Sequence, residues 1–197
     1  MLGNDVVDLG DPESRAEARH PRFDACVFDR TERALIAASP HGEFERWRLW
    51  AAKESAYKAA RKEDPRTVFA PRRFAVRRTH GGMLAVTVGD RRFRVEVVVD
   101  GECVHAVARH REDSTEAPWT AVASLSPTVE DAGVAVRRLA TTTIARRLGL
   151  ATDDLVIDRV ARIPTLRIVG RGFAADLSLA HHGRFVAFAC SIRRSRP

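Results

Sequence analysis

Cysteine is scarce in this 197-residue chain: Cys26, Cys103 and Cys190 stand far apart, in no C-x-x-C or other metal-ligand spacing. An odd, scattered set argues against a disulfide framework and a structural zinc site, and fits reduced thiols in the cytoplasm. Long apolar runs are missing too. No stretch approaches the roughly 20 apolar residues that cross a bilayer. The opening "MLGNDVVDLG" lacks the basic-then-apolar order of a secretion signal. The expectation is a soluble cytoplasmic protein that does not enter a membrane. There is no Walker A sequence and no G-x-G-x-x-G, which removes two common phosphate-cradling loops. Aromatic residues make up only 7% of the chain. The strand-like segments hold few of them, so nucleic acid is not the expected partner despite the basic charge.

What is present is charge. Lys and Arg outnumber Asp and Glu by 33 to 26, for a net +7, and the pI is near 10.3. Most of the excess is arginine. Such a surface attracts an acidic protein, a nucleic acid or a phosphate-bearing ligand, although an arginine-rich proteome produces the same excess without any of them. The content of 45% hydrophobic and 30% charged residues fits one globular unit, or two small subdomains sharing a core.

Along the chain, "MLGNDVVDL" reads as a short strand. Asp29 and Glu32 have capping-box spacing, which predicts a short helix beginning at Asp29. "SPHGEF" ends it, and a longer helix is predicted from about Glu43 to Lys62, stopped ahead of Pro65. From Phe74 the apolar period becomes two: "FAVRR", "MLAVTV", "RFRVEVVV" and "CVHAVAR", separated by glycine turns, predict an antiparallel meander. "HREDSTEAPWT" reads as a connector. A second helix is expected over about Thr128 to Leu148, with Val134, Leu139, Ile144 and Leu148 on its apolar side and Gly149 as its cap. "DLVIDRVAR", "TLRIV", "AADLSLA" and "RFVAFACSI" are strand-like. The same element order twice predicts an α+β fold of two related halves, each a long helix on a small antiparallel sheet, forming a pseudo-dimer.

In "WRLWAAKESAYKAARK", residues 47–62, helical geometry puts Trp47, Trp50, Glu54, Tyr57 and Lys58 on one side. An i,i+4 Glu–Lys pair is ordinarily a solvated surface pair of a few tenths of a kcal/mol. Here it shares its side with the largest apolar residues, where a charge requires a charged partner. A divalent cation against Glu54 and a phosphate against Lys58 would supply one. Asp5 and Asp8 of "GNDVVDL" lie on opposite strand faces. They read either as turn residues or as further oxygen ligands; Mg²⁺ uses one or two carboxylates, so Asp5 with Glu54 would suffice. His181 and His182 of "SLAHHGRFVAFA" read either as turn residues or as donors to phosphate.

Together "GNDVVDL", "WAAKESAYK" and "SLAHHGRFVAFA" resemble three motifs of the 4′-phosphopantetheinyl transferase superfamily: a G-x-D strand, a W-x-x-K-E-x-x-x-K helix and an S-x-S-H-x-G-x-x-V-A turn. The first half is similar to a short holo-acyl-carrier-protein synthase. The second is similar to the N-terminal half of the longer, surfactin-type enzymes, so the chain resembles a circularly permuted pseudo-dimer. The resemblance implies a transferase half at residues 1–112 and a coenzyme A-binding, His-bearing half at 113–197, with one active site in the cleft between them. It implies transfer of 4′-phosphopantetheine from coenzyme A to a serine of an acidic acyl- or peptidyl-carrier protein, releasing 3′,5′-ADP, by a monomer with pseudo-twofold symmetry. Asp5 and Glu54 match the metal ligands, for Mg²⁺ or the similarly oxygen-seeking Mn²⁺. Asp5, Glu54 and Lys58 are the expected catalytic set. Lys53, Lys58, His181 and Arg184 are the expected coenzyme A contacts. The chain departs from the family pattern in four places: Val7 replaces an acid, Ala180 a serine, His182 a small polar residue, and "RIP" (Arg162 to Pro164) a Gly-Lys-Pro. The alternative these departures leave is a non-catalytic relative that binds carrier protein or nucleotide.

Overall fold

Among the described residues the chain forms ten strands. The first half holds β1 (Leu2–Asp8), β2 (Ala75–Arg78), β3 (Leu84–Val88), β4 (Arg91–Asp100) and β5 (Cys103–His110). The second holds β6 (Trp119–Ser124), β7 (Leu155–Val160), β8 (Ile163–Ile168), β9 (Arg171–His182) and β10 (Phe185–Arg193). Four α-helices accompany them among the described residues: α1 (Phe23–Val27), α2 (Arg30–Ala38), α3 (Gly42–Glu63) and α4 (Ala132–Leu148). The computed structural model describes residues 1–110, 116–125 and 131–193. The expected division at 112/113 lies outside the described residues, as does a helix start at Thr128.

The two sheets run β1-β5-β4-β3-β2 and β6-β10-β9-β8-β7. Adding five to each strand of the first order produces the second, so the wiring occurs twice. The α+β pseudo-dimer is therefore the observed architecture. The expected connector gives up its last two residues to β6, which opens at Trp119 and pairs with β10. A strand after a proline-containing polar stretch left no period long enough to read.

The capping box at Asp29 and Glu32 forms as expected, each side chain accepting from the other's backbone N–H. Gly149 caps α4 with a left-handed backbone, φ 65°. One expectation fails: Val134 is 55% exposed rather than part of the apolar side. The buried stripe of α4 runs through Val136, Ala140 and Ile144, and Val134 lies two residues, about 200° of helix, away from it.

Every residue of β1 is buried, because β1 is covered on both faces. Val7 packs into the α3 core with Leu49, Ala56, Ala59 and Val104. On the other face, Leu2, Val6, Cys103 and Val107 meet Ala180, Ala187 and Ala189 of the second sheet, where small alanines let the sheets close up. β1 is also an edge strand, whose outward N–H groups require partners. Side chains at alternate positions of β9 provide them. Leu2 N–H donates to Asp176 Oδ2 (2.6 Å), Asn4 N–H to Ser178 Oγ (2.9 Å) and Asp8 N–H to His182 Nδ1 (3.1 Å). No helix among the described residues is long and apolar enough to cross a membrane.

Candidate active site

Gly3 brings α3 against β1. A Cβ there would stand 2.1 Å from Ser55 O and 2.6 Å from Ala59 N, so a hydrogen is all that fits. Two residues on, and on the same strand face, Asp5 meets that helix, accepting from Lys58 Nζ at 2.8 Å. The two side chains are 11% and 29% exposed. Glu54, one turn before Lys58, joins them. No hydrogen bond reaches Glu54 among the described residues. Burial, then the charge of Asp5, raises its carboxyl pKa to about 7 against the pull of Lys58. Burial alone would lower the pKa of Lys58, but Asp5 and Glu54 outweigh it and the net shift is upward. Two carboxylates thus share one ammonium.

The aromatic side chains of α3 pack on the first-half core, and Tyr57 stands next to Lys58. Trp47 Nε1 donates to Ser14 O at 3.1 Å. Trp50 meets Phe69 edge to face, with centroids 5.7 Å apart, and Tyr57 lies tilted on it at 4.8 Å.

Lys58 opens onto a cleft of about 190 Å³ between the halves, with Tyr57, Arg61 and Lys62 on the α3 side and Arg162, Ile163, Pro164, Ser178 and Leu179 opposite. A neighbouring cavity of about 280 Å³ shares Lys62, Ile163 and Pro164 with it. Four cations therefore line one groove. Ala161 and Arg162 form the two-residue turn joining β7 to β8. Their φ angles are 49° and 66°, a left-handed backbone costing about 1–3 kcal/mol per non-glycine residue. Arg162 reaches the cleft from a strained turn.

Other expected contacts lie elsewhere. Lys53 is fully buried, and its ammonium donates to Glu32 Oε1 (2.8 Å), Pro71 O (3.1 Å) and Phe74 O (2.7 Å). Burial, countered by Glu32, lowers its pKa. It is a core lysine turned away from the cleft, because consecutive helical residues diverge by about 100°. Arg184 donates to Asp8 (2.6 and 2.8 Å) and Glu102 (2.7 Å), not into the Asp5–Glu54–Lys58 cluster. His181 is exposed at the end of β9. It follows Leu177 on the strand face turned toward α4, whereas His182 touches β1. Asp11, Glu13 and His182 bring potential ligand atoms within 4.8 Å of one another. Asp11 Oδ1 already accepts from Glu13 N–H and His182 Nδ1 from Asp8 N–H, so these groups shape a turn.

Sequence reasoning passed over Lys62, which donates to Leu2 O, Asp176 Oδ1 and Leu177 O at 2.8, 2.5 and 2.7 Å. A signal was available. Only three of the 33 basic residues are lysine, and Lys53, Lys58 and Lys62 all fall in α3. Each meets an acid: Glu32, Asp5 or Asp176. Where arginine serves everywhere else, a retained lysine marks a site that takes a compact ammonium and not a planar fork.

A repeated helix-on-sheet unit, with a paired-acid and lysine cluster beside a cationic cleft, defines a class of α+β proteins equipped to hold a phosphorylated ligand. The model of the 4′-phosphopantetheinyl transferase superfamily matches residues 1–108, and the chain belongs to that superfamily. Its function is of the phosphopantetheinyl transferase type, in a family that uses coenzyme A and typically a metal. No curated protein and no solved structure matches the chain significantly.

Proposed function

We propose that the chain transfers 4′-phosphopantetheine from coenzyme A to a serine of an acyl- or peptidyl-carrier protein, releasing 3′,5′-ADP, in the manner of the holo-acyl-carrier-protein synthases. The observation that carries this reading is the convergence of Asp5, Glu54 and Lys58 from two distant segments, beside a cleft lined by Lys58, Arg61, Lys62 and Arg162. The pyrophosphate lies against Lys58, with Arg61 and Arg162 on the rim holding further phosphate charge. The serine oxygen forms a bond to the β-phosphorus while the bond from that phosphorus to the bridging oxygen of 3′,5′-ADP breaks. Glu54 accepts the serine proton. Lys58 offsets charge growing on the phosphoryl oxygens.

The residues fit a divalent cation. Asp5 and Glu54 share a single ammonium, and no hydrogen bond reaches Glu54 among the described residues, a carboxylate excess that a second positive charge relieves. Asp5 and Glu54 would hold Mg²⁺ or Mn²⁺, which when bound neutralises phosphoryl oxygens. The net charge of +7 complements an acidic carrier protein. One chain supplies both walls of the cleft, as a monomer would. His181 enters this reading through the family motif alone.

The test is incubation with coenzyme A, Mg²⁺ and an apo-carrier protein, following 3′,5′-ADP by chromatography. Release in step with carrier modification, absent with a serine-to-alanine carrier, is expected. Coenzyme A binding without release on any carrier tried would favour the non-catalytic relative.

A further inference from the structure

Asp8 lies three residues beyond Asp5 on β1 and faces the second half. Its side chain is 1% exposed. It accepts from Gly10 N–H (2.9 Å), Arg184 N–H (2.9 Å), Arg184 Nε (2.8 Å) and Arg184 Nη2 (2.6 Å). The backbone N–H of Asp8 donates in turn to His182 Nδ1. Between those two partners sits Gly183, with φ 51°, where a Cβ would stand 2.5 Å from Asp8 Oδ2. The whole β9–β10 turn is moulded on one carboxylate. At the other end of β1, Lys62 ties Leu2 O to Asp176 and Leu177 O. The second half is therefore pinned to both ends of a single strand. Asp5, Glu54 and Lys58 all belong to the first half, whereas Arg162, Pro164, Ser178 and Leu179 line the facing wall of the cleft.

We propose that Asp8 and Arg184 form a positioning clasp that sets the second-half wall of the cleft, and the coenzyme A held there, over the Asp5–Glu54–Lys58 cluster without touching substrate. The functional part of this proposal rests on the coenzyme A reading above. Opening the clasp leaves the Lys62–Asp176 tie, the Asn4–Ser178 bond and the alanine packing of the sheets, so the second half stays attached while the β9–β10 turn shifts and β9 carries that shift toward Ser178 and Leu179. Because the reacting groups stay together in the first half, the loss falls on coenzyme A binding and spares the transfer step at saturation.

Asp8→Asn, Arg184→Gln and their double variant test it by two readouts. Hydrogen–deuterium exchange requires no assumption about function: peptides covering residues 178–188 should exchange faster in each variant, with α3 unchanged. In transfer assays KM for coenzyme A should rise about tenfold with kcat held within about twofold. The double variant should be no worse than either single one. Arg184→Lys, which keeps the charge and loses the fork, should give an intermediate KM and guards against a variant that fails to fold. Unchanged exchange would overturn the clasp. Faster exchange with an unchanged KM, or a fall in kcat alone, would overturn its positioning role. A wild-type chain that binds no coenzyme A would overturn the substrate reading, and exchange would still decide the clasp.

Discussion

Lys53 and Lys58 leave the same helix five residues apart and meet opposite surroundings. Lys53 is sealed in the core with all three of its protons given to fixed acceptors. Among the described residues Lys58 has a single partner at hydrogen-bond distance, Asp5, and it stands at the wall of a cleft. The carboxylates of β1 repeat the contrast. Asp8 accepts four hydrogen bonds, and those from Arg184 above all hold its pKa down at about 2. Asp5 shares one ammonium with Glu54. A saturated polar group holds the structure together. An under-partnered one, buried at some cost, retains the capacity to bind and react.

Breaking each side of that contrast should have different consequences. The largest effect is expected from Glu54→Gln, with a fall in transfer of about 10³-fold and no loss of folding, read by steady-state kinetics and thermal melting. Lys53→Met should reverse the pattern. Leaving buried Glu32 with Arg77 at 4.0 Å as its nearest cation should cost about 3–5 kcal/mol in denaturant unfolding. Lys58→Met should cost less stability than that and far more activity.

Two pH dependences of opposite sign sharpen the comparison. The carboxyl pKa of Glu54 in the folded chain, about 7, lies above its ordinary 4.5. Its stabilising contribution is therefore complete below about pH 4.5 and lost as pH rises through 7. Metal-free protein should lose about 3 kcal/mol across that window, and Glu54→Gln should flatten it. His105 is the reverse case: burial, then the charge of Lys58, lowers its pKa from 6.5 to about 4. Its contribution is present above pH 6.5 and lost as pH falls through 4, again about 3 kcal/mol. His105→Gln should remove that acid-side loss. The smallest effect is expected from Val134→Asp, within about 0.5 kcal/mol, since Val134 faces solvent.

Much of this organisation was legible from residues alone. The period-two strands, the capping box and the extent of α3 follow from local patterns, and repetition of the element order predicted two related halves. The helix angle placed Glu54 and Lys58 on one side, whereas the close approach that Gly3 permits shows only in the fold. What remained hidden depends on long-range partners. Lys53 sits inside the motif, yet its acid, Glu32, lies on another helix. Arg184 was expected at coenzyme A because no local pattern reveals that Asp8, 176 residues earlier, takes its guanidinium. Lys62 was legible in a different way, through the rarity of lysine among so many arginines.

The most direct measurement is the intact mass of a carrier protein after incubation with coenzyme A and Mg²⁺, comparing the wild-type chain with Glu54→Gln. The wild type should add one phosphopantetheine per carrier, and Glu54→Gln should add essentially none while still binding coenzyme A. Equal modification by both chains, or none by the wild type on any carrier tested, would contradict a reacting centre at Asp5, Glu54 and Lys58.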